Sequence, residues 1–352
     1  LSGCDKARFY ELHSLCQQFI QKQTVIVRNQ FLRFIVRMQQ KDMPAFRRQQ
    51  CGAVFRLQYQ EYVGGVVKLC IEAEKIIAEI HNPDSRYVIV AAHRGDWRNY
   101  PENSLAAIES AIRMGVDIVE IDLKLTKDSV LVLSHDPSCN RMTTGRGDIR
   151  TMTYDSLASF NLKTAHGIGI PGTRITTFRE ALEACKGRVV INVDQGFQYY
   201  NLVVALTDSL GMTGQILIKG RKPREVVAEE MKGGEMMYMP VIDCQNPGGA
   251  ALFRQYQAWH EATGEAPLAY EVCFSELDSA AVACCRDAVR QGAKLWVNTL
   301  WASLCGGLND DAAYDGNPDE IYGKVLDLGV SMIQTDRPEF LIRWLEKRGR
   351  RK

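Results

Sequence analysis

The 352-residue sequence lacks several features that would assign it to a class at once. Its 11 cysteines include no C-x-x-C pair, so neither a zinc site nor a disulfide framework is indicated. Its formal net charge is only +1, which gives no overall signal for nucleic acid as a partner. No apolar run approaches the roughly 20 residues that a transmembrane helix needs. These absences leave an ordinary globular composition.

Residues 1–86 form the first of two predicted regions, an N-terminal helical extension. Apolar residues recur there at helical spacing, and 13 Lys/Arg stand against 8 Asp/Glu. The segment FLRFIVRM sets Arg33 and Arg37 among apolar residues, which is typical of a basic helix on an anionic lipid surface. The alternative is that these helices pack on the domain that follows. Membrane association through this region and the oligomeric state stay open.

The tetrapeptide Leu1-Ser2-Gly3-Cys4 is similar to the lipobox that ends a bacterial lipoprotein signal peptide, in which the cysteine is lipidated. It favours a periplasmic or membrane-anchored lipoprotein of a bacterium. The scattered cysteines favour a reducing compartment instead, so a cytoplasmic location is the alternative.

From residue 87 the sequence alternates short β-rich runs with helical segments. This alternation is typical of the α/β class, and eight such runs predict a TIM-type (β/α)8 barrel over residues 87–345. Residues 137–174, rich in Gly, Thr and Arg, are assigned to an insertion. The predicted parallel strands lie at 87–92, 117–125, 188–194, 215–220, 236–242, 268–274, 293–298 and 330–336.

One further β-rich run, SVLVLSHD, follows the second strand after only a few residues. A parallel crossover needs about a dozen residues, so this run predicts an antiparallel hairpin. With the turn at 126–129, cross-strand pairing would set Glu120 opposite His135 and Asp122 opposite Leu133.

Reactive side chains stand where several of these strands end. In a β/α barrel such ends meet at one mouth, where active sites lie. Glu120 and Asp122 share a face of their strand, and with Asp194 they would make an all-oxygen site for one Ca²⁺ or Mg²⁺. Arg94 offers a fork that matches phosphate, and His93 titrates near neutrality. Together with a second histidine, His135, such groups indicate phosphodiester cleavage.

At this point the sequence resembles the glycerophosphodiester phosphodiesterase family, over about residues 87–345. Later segments, RMTTGRG at 141–147, WVN at 296–298 and QTDRP at 334–338, are similar to further landmarks of the family. The signature motifs of the family are H-R-G, P-E-N, E-x-D, T-x-D and H-D, which here are His93-Arg94-Gly95, Pro101-Glu102-Asn103, Glu120-x-Asp122, Thr126-x-Asp128 and His135-Asp136.

The resemblance implies metal-dependent hydrolysis of glycerophosphodiesters to glycerol 3-phosphate and an alcohol. It implies that His93 and His135 are the catalytic histidines and that Glu120 and Asp122 are the first two metal ligands. In the mechanism drawn for the family, the glycerol hydroxyl of the substrate attacks phosphorus, and water then opens the cyclic phosphate.

The sequence departs from the family pattern at the fourth-strand motif E-x-K, which reads Asp194-Gln195-Gly196 here. Asp194 remains the expected third ligand, with a shorter reach. The family lysine is missing, and Lys219 at the next strand end is expected either to supply its charge to phosphate or to form a structural ion pair. The D-G turn of the family is Asp128-Ser129, which a hairpin tolerates at small cost.

Four further polar residues surround the expected site. Glu102 is expected to hydrogen-bond within its loop or to support the metal, and Asn103 to cap the following helix. Asp136 is expected to orient His135 or the hairpin end, and Glu271 to lie in the pocket.

Two expectations concern later strand ends. Trp296 would either wall the substrate site or belong to the core. Asp336-Arg337 would form a closing salt bridge. Two alternatives to the main prediction remain: a phosphodiesterase for lysophospholipids or glycerophosphoinositol, and a binding barrel that has lost its chemistry.

Overall fold

The computed structural model describes residues 72–232 and 234–351. The described residues all lie within one compact unit, Leu69–Lys352. The predictions that concern residues 1–71, including those for Cys4, Arg33 and Arg37, lie outside the described residues. Within the described ranges, no helix is both long and apolar enough to span a bilayer.

Eight parallel strands close into a barrel, which confirms the predicted fold class. They pair in the order β1-β2-β4-β5-β6-β7-β8-β9, and β9 pairs back with β1. The strands are buried almost throughout, as strands covered on both faces must be. Their bounds are β1 (Ile89–Ala92), β2 (Ile118–Leu125), β4 (Val190–Asp194), β5 (Ile216–Gly220), β6 (Met237–Asp243), β7 (Ala269–Cys273), β8 (Lys294–Asn298) and β9 (Met332–Thr335), while β3 (Leu131–Leu133) is antiparallel to β2.

Helices follow the strands and cover the outside of the barrel. Local signals fix their starts; for example, Thr177 and Glu180 form a reciprocal capping box. A helix over 72–81 precedes β1. The others are α1 (Leu105–Met114), α2 (Tyr154–Ala158), α3 (Phe178–Cys185), α4 (Tyr200–Ser209), α5 (Arg224–Glu230), α6 (Pro247–Thr263), α7 (Ser279–Arg290), α8 (Ala302–Cys305), α9 (Asp310–Asp315), α10 (Pro318–Asp327) and α11 (Pro338–Glu346).

The β2–β3 hairpin is present, but its predicted register was wrong by one residue. Leu123 pairs with Leu133, and the N–H of Ser134 donates to the carbonyl of Asp122. The loop has three residues, 127–129, because Thr126 already pairs with Val130. Ser129 ends that loop in the left-handed region, at φ 64°, which is the conformation a three-residue hairpin loop requires. Ser134, and not Leu133, therefore lies opposite Asp122, and His135 is not the residue opposite Glu120.

The barrel interior holds its own apolar core. Trp296 is fully buried in this core, and Ile80 of the helix over 72–81 belongs to the same core. A larger core lies between the strands and the outer helices. The predicted insertion at 137–174 shares a small core with β3 and with the residue that follows the insertion, formed by Val132, Cys139, Ile149, Leu157 and Ile175.

A buried ion pair lies at the opposite, amino-terminal end of the barrel. Asp117, just before β2, accepts hydrogen bonds from the N–H of Val90 at 2.7 Å and from the Tyr87 hydroxyl at 2.8 Å. Its carboxylate also pairs with the guanidinium of Arg351. This pair joins β1, β2 and the C-terminal segment of the chain.

Candidate active site

Three carboxylates lie together at the carboxyl end of β2 and β4. Asp122 pairs in register with Asp194, and Glu120 lies on the same face of β2. One oxygen from each of the three lies within 4.8 Å of the others. Burial, together with the charge of Asp122, raises the pKa of Glu120 well above its usual value. An all-oxygen donor set whose like charges repel one another fits a hard divalent cation such as Ca²⁺ or Mg²⁺.

Residues of the turn after β1 contact two of these carboxylates, those of Glu120 and Asp122. Gly95, at φ 74°, brings the turn so close to α1 that a Cβ would lie 2.7 Å from the backbone of Ala107. The preceding Arg94, at φ 54°, donates its N–H to Glu120 at 2.9 Å. Its guanidinium lies 3.3 Å from Asp122. Arg94 therefore lies at the cluster, and its role in binding phosphate stays a prediction.

Asn103 contacts the cluster and does not cap the helix, so the prediction for it was wrong. Ser104 is the cap of α1 and accepts from the N–H of Ala107. Asn103 is fully buried at φ 54°; its amide donates to the Asp122 carboxylate at 3.0 Å, and its side-chain oxygen accepts from the Asp122 N–H at 3.1 Å. Serine and asparagine are both good caps, so sequence alone could not separate their roles.

Lys219 enters the barrel mouth from β5. Its Nζ lies 3.3 Å from Asp194 and 3.1 Å from Glu271, and the lysine is buried. Burial lowers its pKa, but the two carboxylates outweigh that effect and raise the pKa above the usual value. Lys219 thus makes the ion pairs expected for a structural role, while its contact with phosphate stays a prediction. Glu271 lies in the mouth, as predicted, and also accepts from Asn298 at 2.8 Å.

Gly196 stands where the family pattern has a lysine, and it lies in a turn that leaves little space for a side chain. Gly196 has no room for a side chain, because a Cβ would lie 2.5 Å from Val193. Gln195, at φ 54°, donates to Asp122 at 3.2 Å and accepts a hydrogen bond from Lys124. Lys124 was not predicted as a site residue. Its position on β2, two residues after Asp122 on the same face, was the available signal.

His93 is held by a carboxylate from the last strand. Its Nδ1 lies 2.8 Å from Asp336, and the same carboxylate oxygen accepts from the indole of Trp97 at 2.6 Å. Both members of the pair are buried. The ring of Trp301 meets the imidazole edge-on, with 5.8 Å between centroids. With Nδ1 engaged, Nε2 is the nitrogen of His93 that can exchange a proton with a substrate.

The expected Asp336-Arg337 salt bridge was wrong. Asp336 turns inward to His93, whereas Arg337 pairs with Asp311 at 2.8 Å and lies over the ring of Tyr314. Neighbouring residues at a strand end point to opposite sides, so each found a partner distant in sequence.

His135 lies at the rim, and an ion-pair network links it to Arg94. Its Nδ1 is 2.8 Å from Asp136, as predicted. Asp136 accepts from Arg141 at 2.8 Å, and Arg141 also forms two hydrogen bonds with Glu102. Glu102 in turn lies 3.0 Å from Arg94, so it takes the loop role expected for it. Arg141 comes from the insertion, and sequence analysis gave it no role.

Trp296 does not line the mouth. Its side chain is fully buried in the barrel core, and its indole donates to Asn298 at 2.8 Å. Its position agrees with the core alternative and does not support a substrate wall. Trp301, 46% exposed beside His93, is the tryptophan at the mouth.

Fold and site together define a β/α-barrel protein with two histidine–carboxylate pairs and a carboxylate cluster at one mouth. Residues 93–209 match the model of the glycerophosphoryl diester phosphodiesterase family, and residues 238–345 match a second model, described as a domain of unknown function. This part of the chain, residues 93–209, is thus similar to the glycerophosphoryl diester phosphodiesterase family.

Relatives agree with this assignment. A glycerophosphodiester phosphodiesterase of Caldanaerobacter subterraneus is 39% identical over 95 residues, which are 27% of this chain and 39% of that protein. Human glycerophosphodiester phosphodiesterase 1 is 38% identical over 96 residues, or 27% and 29% of the two chains. The matched segment thus spans less than half the length of these relatives.

Solved structures share the fold. A glycerophosphoryl diester phosphodiesterase from Parabacteroides distasonis is 20% identical with a TM-score of 0.61, covering 78% of this chain and 92% of that one. A phosphodiesterase from Oleispira antarctica, solved with the product sn-glycerol-3-phosphate, is 20% identical with a TM-score of 0.56, covering 73% and 96%.

Proposed function

We propose that this protein hydrolyses glycerophosphodiesters to glycerol 3-phosphate and an alcohol, with one divalent cation, Ca²⁺ or Mg²⁺. The observation that carries the proposal is the meeting of His93, His135 and the carboxylates of Glu120, Asp122 and Asp194 at one barrel mouth. The product complex of the Oleispira relative supports the substrate class.

The two histidines are proposed to move the protons. Each has its Nδ1 on a carboxylate, Asp336 for His93 and Asp136 for His135, which leaves each Nε2 for the substrate. One accepts the proton of the attacking glycerol hydroxyl while the other protonates the leaving alkoxide. In the second step the roles reverse: one takes a proton from water, and the other protonates the oxygen released when the cyclic phosphate opens.

The cation would be held by Glu120, Asp122 and Asp194, and when bound it would polarise a phosphoryl oxygen. Arg94 lies beside this cluster, where its guanidinium can exchange an intramolecular ion pair for phosphate oxygens. Lys219 keeps Asp194 ionised, since its positive charge outweighs burial and lowers the pKa of that carboxyl.

The test is release of glycerol 3-phosphate from glycerophosphocholine and glycerophosphoethanolamine with Ca²⁺, with Mg²⁺ and with EDTA. We expect metal-dependent release that His135→Ala abolishes. His260→Ala is the matched control, because this histidine lies at the end of α6 and bonds only its own loop. Release that persists in His135→Ala would refute the proposed site, and cation binding without turnover of any diester would indicate a barrel that has lost its chemistry.

A second substrate class, lysophospholipids, is favoured by the apolar surface around the mouth. Trp301 and Ile168 are 46% and 66% exposed in loops on this side. A groove of about 540 Å³ beside β4 is lined by Leu125, Phe197 and Leu202, among others. Faster turnover of lysophosphatidylcholine than of glycerophosphocholine would support this class, and the reverse order would support soluble diesters.

A further inference from the structure

Asp310, the first residue of α9, is a buried carboxyl that the proposed reaction does not use directly. It is fully buried in the connection between β8 and β9. One oxygen, Oδ1, accepts from the hydroxyl of Thr299 at 2.7 Å and from the hydroxyl of Tyr322 at 2.9 Å. The N–H of Asp310 donates to the carbonyl of Thr299 at 2.7 Å. These bonds fix the direction of the whole carboxylate.

The second oxygen of Asp310 points to the catalytic side of the barrel. Oδ2 accepts from the backbone N–H of Asp336 at 2.7 Å. Asp336 is the residue whose carboxylate holds Nδ1 of His93 at 2.8 Å. A continuous line of contacts therefore runs from Tyr322 through Asp310 and Asp336 to the imidazole. Asp310 lies outside residues 93–209, the part of the chain that the diesterase family model covers.

We propose that Asp310 is a positioning residue that sets the orientation and the basicity of His93 through Asp336. The catalytic meaning of this role rests on the proposed function of His93. The position of Asp336 depends on its backbone N–H, since that group has a single carboxylate acceptor in Asp310. A shift of Asp336 would move the oxygen that orients the imidazole ring.

The surroundings of Asp310 place the pKa of its carboxyl near neutral pH, so its charge can change there. The titratable or charged groups that face it are Cys305 from α8, Tyr322 from α10, and Asp336 and Arg337 after β9. Burial raises the pKa of Asp310 to about 7, although hydrogen bonds from Thr299 and the Asp336 N–H oppose the rise. Ionised Asp310 favours the His93 imidazolium, so the two titrations should be linked.

The experiment is an NMR titration of the His93 imidazole in the full chain, with the signal assigned from His93→Gln. In the natural protein the His93 titration should contain a second step as Asp310 ionises. In Asp310→Asn, which keeps the shape of the side chain, the step should vanish and the pKa of His93 should fall by about 0.5 or more. Because no substrate is needed, this result is independent of whether any diester is hydrolysed.

Asp117→Asn is the matched control, because Asp117 is a buried carboxyl at the other end of the barrel. It should lower the melting temperature and leave the His93 titration unchanged. A His93 titration in Asp310→Asn that equals the natural one would overturn the proposal and leave Asp310 a purely structural role.

Tyr322→Phe decides the case if Asp310→Asn does not fold. It removes one hydrogen-bond donor from the carboxylate, so the pKa of Asp310 should rise and the second step in the His93 titration should move to higher pH. A step at unchanged pH would overturn the proposal. With active protein, the same upward shift is expected in the pH profile of kcat.

Discussion

Removal of the Asn103 side chain should weaken cation binding without removing any of the three carboxylates that are proposed to bind the cation. Asn103 makes two hydrogen bonds with Asp122, at 3.0 and 3.1 Å, and both are buried. Loss of a residue that orients a metal ligand typically costs 10–100-fold in metal affinity. That range corresponds to about 1.4–2.7 kcal/mol, as expected for the loss of one hydrogen bond to a charged carboxylate and one from a backbone N–H.

The backbone at this position lets the side-chain effect be isolated. Asn103 has φ 54°, a left-handed conformation that glycine adopts freely and alanine adopts at a cost of about 1 kcal/mol or more. Asn103→Gly and Asn103→Ala should therefore bind the cation equally weakly, while Asn103→Ala should also unfold at lower urea concentration. Asn99→Ala is the control, because Asn99 bonds Asp96 in the same loop and does not contact the carboxylate cluster.

Calorimetric titration with Ca²⁺ and with Mg²⁺ measures the effect directly, and the cation concentration needed for half-maximal activity measures it a second time. An Asn103→Gly protein that binds both ions as tightly as the natural protein would refute the reasoning. It would mean that the β2 strand, Arg94 and Gln195 orient Asp122 without help from Asn103.

Three other substitutions test the contacts of the site. Lys219→Met should lower the free energy of unfolding by about 3–5 kcal/mol in urea, since it leaves the buried carboxylate of Glu271 without its cation. A change under about 1 kcal/mol would show that the ion pair is dispensable. Arg141 holds the pKa of Asp136 at about 2, so the pair stabilises the fold above about pH 4 and the contribution is lost as pH falls towards 2. Arg141→Ala should therefore raise the midpoint of acid unfolding, measured by circular dichroism, whereas an unchanged midpoint would contradict the link. Asp336→Asn should lower kcat for glycerophosphocholine by about 100-fold or more, because it weakens the hydrogen bond that orients His93. The affinity for Ca²⁺, measured by calorimetry, should not change. Equal losses of kcat and of Ca²⁺ affinity would place Asp336 in the metal site.

The sequence was sufficient for the barrel and for the convergence of its reactive groups. Each strand is a short buried run, and parallel topology brings strand ends such as His93, Glu120 and Asp194 to one mouth whatever the details of the loops. The barrel architecture therefore predicts that these side chains lie close together, without a prediction for each loop.

The errors have a common cause in choices that local pattern does not determine. One residue more or less in the loop at 127–129 changes the register, and the observed three-residue loop has Ser129 at a positive φ, which the sequence did not signal with a glycine. The partner of Asp336 is 243 residues away in sequence, and Arg141 meets Glu102 across 39 residues. Contacts of this kind depend on how the loops fold back, which spacing alone does not encode.

Arg94, Asn103 and Gln195 share a backbone property whose consequence extends to protein engineering. All three have φ 54°, a region in which glycine would be more relaxed, and all three contact the carboxylates of the site. A library screened only for thermal stability should therefore enrich glycine at these positions. The selected variants would have a higher melting temperature but would lose side-chain contacts with the carboxylates of the site. Selection for heat resistance and selection for turnover should therefore favour different residues at these three positions.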